Sequence, residues 1–141
     1  MESDSISNQF IKIDFYAGAY GPTLRIDIPS HELLESLKGV FHSLAQQKLS
    51  LMNLAKADFV RAGNVAKLDL MLNEQAKKHG RFKTLHLEQN TPNAVQFVWK
   101  QPAAGWLYCY DLLDGFGGQP GHQYLTAEEI DDALVEAAYL E

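Results

Sequence analysis

Ile11-Lys12-Ile13-Asp14-Phe15 and Leu24-Arg25-Ile26-Asp27-Ile28 alternate apolar and charged residues with a period of two. Only a strand turns successive side chains to opposite faces, so each stretch predicts a half-buried strand. The segment between them, Ala17-Gly18-Ala19-Tyr20-Gly21-Pro22, is rich in turn-forming residues, and the pair therefore predicts an antiparallel hairpin.

Working outward, the period changes. Ser30 is placed to cap a helix, Glu32 puts an anion in its first turn, and Leu33, Leu34, Leu37, Val40, Phe41 and Leu44 fall on one face at helical spacing. That amphipathic helix is expected to cover one face of the sheet. From Leu49 onward short alternations return, over 50–60, 67–73, 83–88 and 95–99. Their inward sets are Leu68, Leu70 and Leu72, then Leu85 and Leu87, then Val95, Phe97 and Trp99. Asn64, the stretch 76–80 and Asn90-Thr91-Pro92-Asn93 connect them, and a four-strand meander is the economical expectation.

Two stretches read both ways. Trp106, Tyr108 and Tyr110 alternate as on a strand, while Trp106, Leu107, Tyr110 and Leu113 line a helix; the helix, ending near Gly115, is the expectation. Thr126 and Glu129 have the form of a capping box, and Ile130, Ala133, Leu134, Ala137 and Ala138 repeat at helical spacing, predicting a C-terminal helix. The competing reading stops that helix near Asp132 and makes 133–140 a strand, with Val135, Ala137 and Tyr139 on one face. The fold expected is α+β: a predominantly antiparallel sheet of about six strands with two or three helices. At 141 residues the chain holds one core rather than two, so 1–141 is read as a single domain with 1–7 as a loose N-terminal tail.

Charge is distributed unevenly. Residues 1–100 carry all 12 Lys and Arg against 10 Asp and Glu, while residues 101–141 carry eight carboxylates and no Lys or Arg. A net charge of −6 disfavours nucleic acid, whose phosphates need cations to displace their counterions, and favours a basic protein partner. The cluster Lys77, Lys78, Arg81 and Lys83, interleaved with His79 and Phe82, is the one stretch of opposite sign, and a charged connection accounts for it. No apolar run reaches the roughly 18 residues that cross a bilayer, the first charges (Glu2, Asp4) are acidic where a secretory signal is basic, and Cys109 is the single cysteine. Together these predict a cytoplasmic protein without a membrane segment.

No catalytic motif is complete. His31-Glu32-Leu33-Leu34-Glu35 lacks the second histidine of a zinc helix, and Gly115-Phe116-Gly117-Gly118 lacks the spacing of a phosphate-binding loop. Neither a serine-nucleophile elbow nor a Walker motif occurs, and Cys109 sits among Leu107, Tyr108, Tyr110 and Leu112 like a buried, inert thiol. No metal and no cofactor are expected.

Two functional readings follow. The first is a non-catalytic protein-binding module whose Asp111, Asp114, Glu128, Asp131 and Asp132 steer a basic partner while Phe116 and Tyr124 anchor it, alongside the exposed-looking rings Trp106 and Tyr139. In size, acidity and lack of catalytic motif the chain is similar in type to the small immunity proteins that bacteria make against toxin domains, which implies inhibition of a basic partner. The alternative is a small-molecule-binding protein or small enzyme built on the loop Gly117 to Thr126, with His122 as base and a nearby carboxylate such as Asp131 to orient it. Either reading leaves homo-oligomerisation through an exposed sheet edge open.

Overall fold

Strands β1 (Ile11–Gly18) and β2 (Gly21–Ile28) form the hairpin that the alternation predicts, with Ile13 opposite Ile26 and Phe15 opposite Leu24. Ile11, Ile13, Leu24, Ile26 and Ile28 are fully buried. Gly21 takes a φ of +119°, which an L side chain rarely adopts, and this reverses the chain after Tyr20. The computed structural model describes residues 9–74, 83–126 and 131–140. The N-terminal tail, the connector 76–80 and most of the basic cluster lie outside them.

Helix α1 (His31–Ala45) starts where Ser30 Oγ accepts the backbone N–H of Leu33 at 3.3 Å. Its buried stripe is Leu33, Leu34, Leu37, Phe41 and Leu44. Helix α2 (Ala103–Asp114) follows the expectation for that stretch and ends at Gly115. Pro102 offers no capping side chain there; the carboxylate of Glu74 accepts from the first helical N–H, on Ala103, at 2.8 Å instead. The helices pack on each other through Phe41, whose ring lies 5.5 Å from Trp106 and 5.9 Å from Trp99. At the rim of that contact Lys38 Nζ bridges to Asp114 at 2.8 Å.

The sheet is not one antiparallel unit of six strands. Among the described residues nine strands form two mixed sheets around a single core. The first has the order β4-β1-β2-β9-β8, adding β4 (Val60–Ala62), β8 (Gly121–Tyr124) and β9 (Leu134–Tyr139) to the hairpin. The second has the order β3-β5-β7-β6, from β3 (Leu51–Asn53), β5 (Val65–Leu72), β6 (Leu85–Gln89) and β7 (Val95–Gln101). The stretch 50–60 that reads as one strand divides at the short 3₁₀ turn Leu54–Lys56, leaving β3 and β4 in different sheets.

Nor is the second half a meander. β7 inserts between β5 and β6 and runs parallel to β5. The inward residues are as expected, because alternation fixes which face a side chain takes, but alternation says nothing about which strand lies alongside. The mark of the central position is Val98: it is buried on the face opposite Phe97 and Trp99, between the half-buried Gln96 and Lys100.

The C-terminal helix is overturned by β9. All six residues from Leu134 to Tyr139 are buried, since the strand lies between β2 and β8. A nearly continuous apolar run matches helical spacing without having a helical period. Thr126 does not cap a helix; its hydroxyl accepts from Val135 N–H at 2.8 Å and faces the carbonyl of Ala133 at 3.3 Å. The other half of the apparent capping box, Glu129, lies outside the described residues.

Where β4 ends, a side chain continues its work. Asn64 Oδ1 accepts from Phe15 N–H at 2.8 Å and Asn64 Nδ2 donates to Phe15 C=O at 2.7 Å, so the amide stands in for a strand residue beside β1. Asn64→Ala leaves both groups unpaired beside a partly buried ring and is expected to cost about 1–3 kcal/mol. Urea unfolding of the two proteins checks this, and equal midpoints would refute it.

Candidate functional site

Register places a polar constellation on the outer face of the five-stranded sheet. Asp14, Arg25, Glu136 and Tyr124 lie in line across β1, β2, β9 and β8. Lys12, Asp27, Ala138 and His122 form the next line, and Tyr16, Thr23 and Leu134 the line on the other side. Residues that alternate with the buried isoleucines thus meet one another.

At the centre is Glu136, a carboxylate whose side chain is 12% exposed on a strand otherwise apolar. An unpartnered carboxylate there would be expensive. His122 Nδ1 lies 2.6 Å from Glu136 Oε2, Arg25 Nη1 lies 3.9 Å from the same oxygen, and Arg25 Nε donates to Asp27 Oδ1 at 2.6 Å. Asp27, with smaller help from the Tyr16 phenol and Glu136, raises the pKa of the Arg25 guanidinium against the opposing effect of burial.

Three tyrosines stand around this network. Tyr16 is 42% exposed, Tyr20 in the hairpin turn 78% and Tyr124 46%. The negative charge of Glu136, then burial, raises the pKa of the Tyr124 phenol. Tyr20, Tyr124, Thr126 and Leu134 line an open hollow of about 550 Å³. Tyr16 borders a second, more apolar hollow of about 450 Å³ with Phe15, Pro22 and Val95.

The residues singled out by sequence are dispersed. Tyr124 and His122 belong to this face. His122 is partnered by Glu136 and not by an aspartate. Asp131 Oδ1 accepts from Thr84 N–H at 2.6 Å, Thr84 Oγ1 at 3.0 Å and Leu85 N–H at 2.9 Å. Asp132 accepts from Leu87 N–H at 2.8 Å and Lys83 Nζ at 2.7 Å. Asp114 is engaged by Lys38, and Asp111 is exposed on α2. Phe116 is buried against Tyr139, with ring centroids 5.5 Å apart, and Trp106 is fully buried, so neither is an exposed anchor. Glu128 lies outside the described residues.

Arg25, Tyr16 and Tyr20 were missed, and Glu136 figured only as one of the eight C-terminal carboxylates. Glu136 was legible in the strand reading of 133–140, where it is the one charge in an apolar run and faces away from Val135 and Ala137.

Chemically, an imidazole held by a carboxylate is an oriented base. The chain's thiol does not serve it: Cys109 is fully buried, burial pushes its pKa up to about 12 despite the Gln101 amide at 3.4 Å, and its Sγ faces the carbonyl of Leu125. Among the described residues no three His, Cys, Asp or Glu side chains gather as metal ligands, and no helix is long and apolar enough to cross a membrane. Comparison with known protein families, with curated proteins and with solved structures finds no match.

Two measurements check this electrostatic account. Cys109 is expected to resist a thiol reagent such as Ellman's in the native protein and to react fully in urea; rapid native labelling would contradict its burial. Burial alone would raise the Asp132 carboxyl, but Lys83 and Leu87 N–H outweigh it and hold its pKa below the usual value. Its contribution is therefore complete above the ordinary carboxylate range and is lost as pH falls through the lowered folded-state value. The stability advantage of the natural protein over Asp132→Asn is expected to be largest near neutrality and to shrink with acid. A difference independent of pH in urea midpoints would disprove it.

Proposed function

We propose that the protein is a non-catalytic binding module for a basic partner, which it inhibits by covering, in the manner of small immunity proteins. The recognising surface in this reading is the outer face of the five-stranded sheet. The observation that carries it is the trio Tyr16, Tyr20 and Tyr124, exposed around the buried carboxylate of Glu136. Tyrosines contribute large contact area with few rotatable bonds and are enriched where interfaces concentrate their energy. A carboxylate beside such rings complements a lysine or arginine, which can also lie over a ring face. The net charge of −6 supplies long-range steering, while Asp114, Asp131 and Asp132 are engaged within the fold.

A second reading has its own support. The 2.6 Å pair of His122 and Glu136 stands on the same strands as the hollow lined by Tyr124 and Leu134, an arrangement that also suits a small polar ligand. His122→Gln separates the readings: it abolishes small-ligand chemistry while leaving the tyrosine contacts in place.

The direct test uses the tagged protein to capture partners from its native host, beside Tyr20→Ala/Tyr124→Ala and at rising salt. A basic protein is expected to be retained, to be released by salt, and to bind the double variant about tenfold or more weakly. Capture that ignores both salt and the two tyrosines would sink the proposal, provided unfolding curves show the variant folded.

A further inference from the structure

Two sheets have four edges; among the described residues side chains cover β6 and extend β4, β3 is short, and β8 is bare. On β6, Asp131 and Asp132 accept the outward N–H groups of Leu85 and Leu87, and Asp132 N–H donates to Leu85 C=O at 3.1 Å. Beyond β4, the Asn64 amide occupies the edge of β1. β3 is three residues long and runs directly into the 3₁₀ turn. β8 reads Gly121-His122-Gln123-Tyr124, with no lysine, no proline and no bulge. Those are the devices by which exposed edges are normally protected.

The free groups on β8 can be named. Leu125 N–H donates to Val135 C=O at 2.8 Å, and Gln123 and Gly121 face Ala137 and Tyr139. Hydrogen-bonded and non-bonded pairs alternate along an antiparallel ladder, so Gly121, Gln123 and Leu125 turn their main chain to β9, and His122 and Tyr124 turn theirs away. The other side of β9 agrees: Leu140 N–H donates to Ile28 C=O at 3.0 Å, which directs the even-numbered residues of β9 to β2 and leaves the odd-numbered ones for β8. Among the described residues nothing bonds the outward N–H and C=O of His122 and Tyr124.

We propose that β8 pairs antiparallel with β8 of a second copy, about a two-fold axis through Gln123, joining two five-stranded sheets into one of ten strands. In that register His122 faces Tyr124 of the second copy, and Tyr124 faces its His122. Each of these pairs exchanges two hydrogen bonds, so the four bonds satisfy every outward group on both strands. Slipping the strands by one residue would set outward groups against inward ones. The strand's own spacing is therefore self-complementary. It carries no charge to repel its copy, its two imidazole-phenol pairs stack across the outer face, and the Gln123 amides meet on the axis. This pairing is independent of the basic-partner reading, and salt tells them apart. Two chains of charge −6 repel, so added salt tightens the dimer, whereas it loosens a basic partner.

The experiment is sedimentation velocity on the full chain from about 1 µM to about 1 mM, the range in which a small interface assembles. The 15.8 kDa mass is expected to double with concentration, at lower concentration when salt is added. Tyr124→Pro removes an outward N–H without touching a bond to β9 and abolishes the dimer, while Tyr124→Ala keeps that N–H and loses only the stacked ring, so it still dimerises, at a higher concentration than the natural chain. Should the proline variant fail to fold, amide exchange on the natural chain decides. His122 and Tyr124 N–H gain protection as concentration rises, while Gln123 is protected throughout. A monomer at every concentration, or a dimer without that protection, overturns the proposal and leaves the edge to a strand from another protein.

Discussion

β9 must lie between β2 and β8, and a central strand is bonded to a neighbour on each side and buried on each face. Val135, Ala137 and Tyr139 meet that demand toward the core, and Leu134 and Ala138, also buried, meet it on the other side. Glu136 alone does not. Its carboxylate can occupy a central strand only with His122 and Arg25 at hand, and these come from the two strands that flank it. The polar network of the outer face is thus the condition on which β9 is admitted to the sheet. Because β2 comes from the beginning of the chain and β9 from its end, the five-stranded sheet closes late, and such non-local pairing folds slowly.

The same economy explains where the acidic C-terminal charge goes. Asp131 and Asp132 lie where the edge of β6 would expose a row of N–H groups, and a carboxylate oxygen accepts several donors at once. Asp114 neutralises Lys38 at the contact of the two helices. Three carboxylates that look like a reserve for binding, Asp114, Asp131 and Asp132, are engaged within the fold. What remains for recognition is net charge acting at a distance and rings acting at contact.

The hairpin and α1 were legible because each has a clean period and a turn or cap that agrees with it: Ile11 to Phe15 and Leu24 to Ile28 each alternate strictly, and Ser30 caps as its position suggests. Lateral order was not legible. Leu68, Leu85 and Phe97 were assigned to the correct face, yet nothing local to them tells β6 to let β7 pass between it and β5. The stretch 134–139 failed for another reason: burial on both faces erases the period on which helix and strand are distinguished. The site failed with it, since placing His122 beside Glu136 requires β8 and β9 to be strands in register.

A rigid network beneath exposed rings has consequences for binding that a loop lacks. Fixing a side chain on association costs about 0.5–1.5 kcal/mol, and a surface already fixed avoids that cost. Tyr16 shares Arg25 with Asp27 and Glu136, and Tyr124 stands on the strand that holds His122 against Glu136, so two of the three tyrosines rest on strands braced by polar side-chain contacts. Tyr20, at the tip of the hairpin and the most exposed of the three, has the freedom to adapt. Two braced rings and one adaptable ring, set over a carboxylate that is already partnered, can lend negative potential to an incoming cation without being desolvated anew. That division suits recognition better than turnover, because a base whose proton is held by a buried carboxylate needs a substrate seated beside it, and the hollow beside Tyr124 opens to solvent between rings placed for contact.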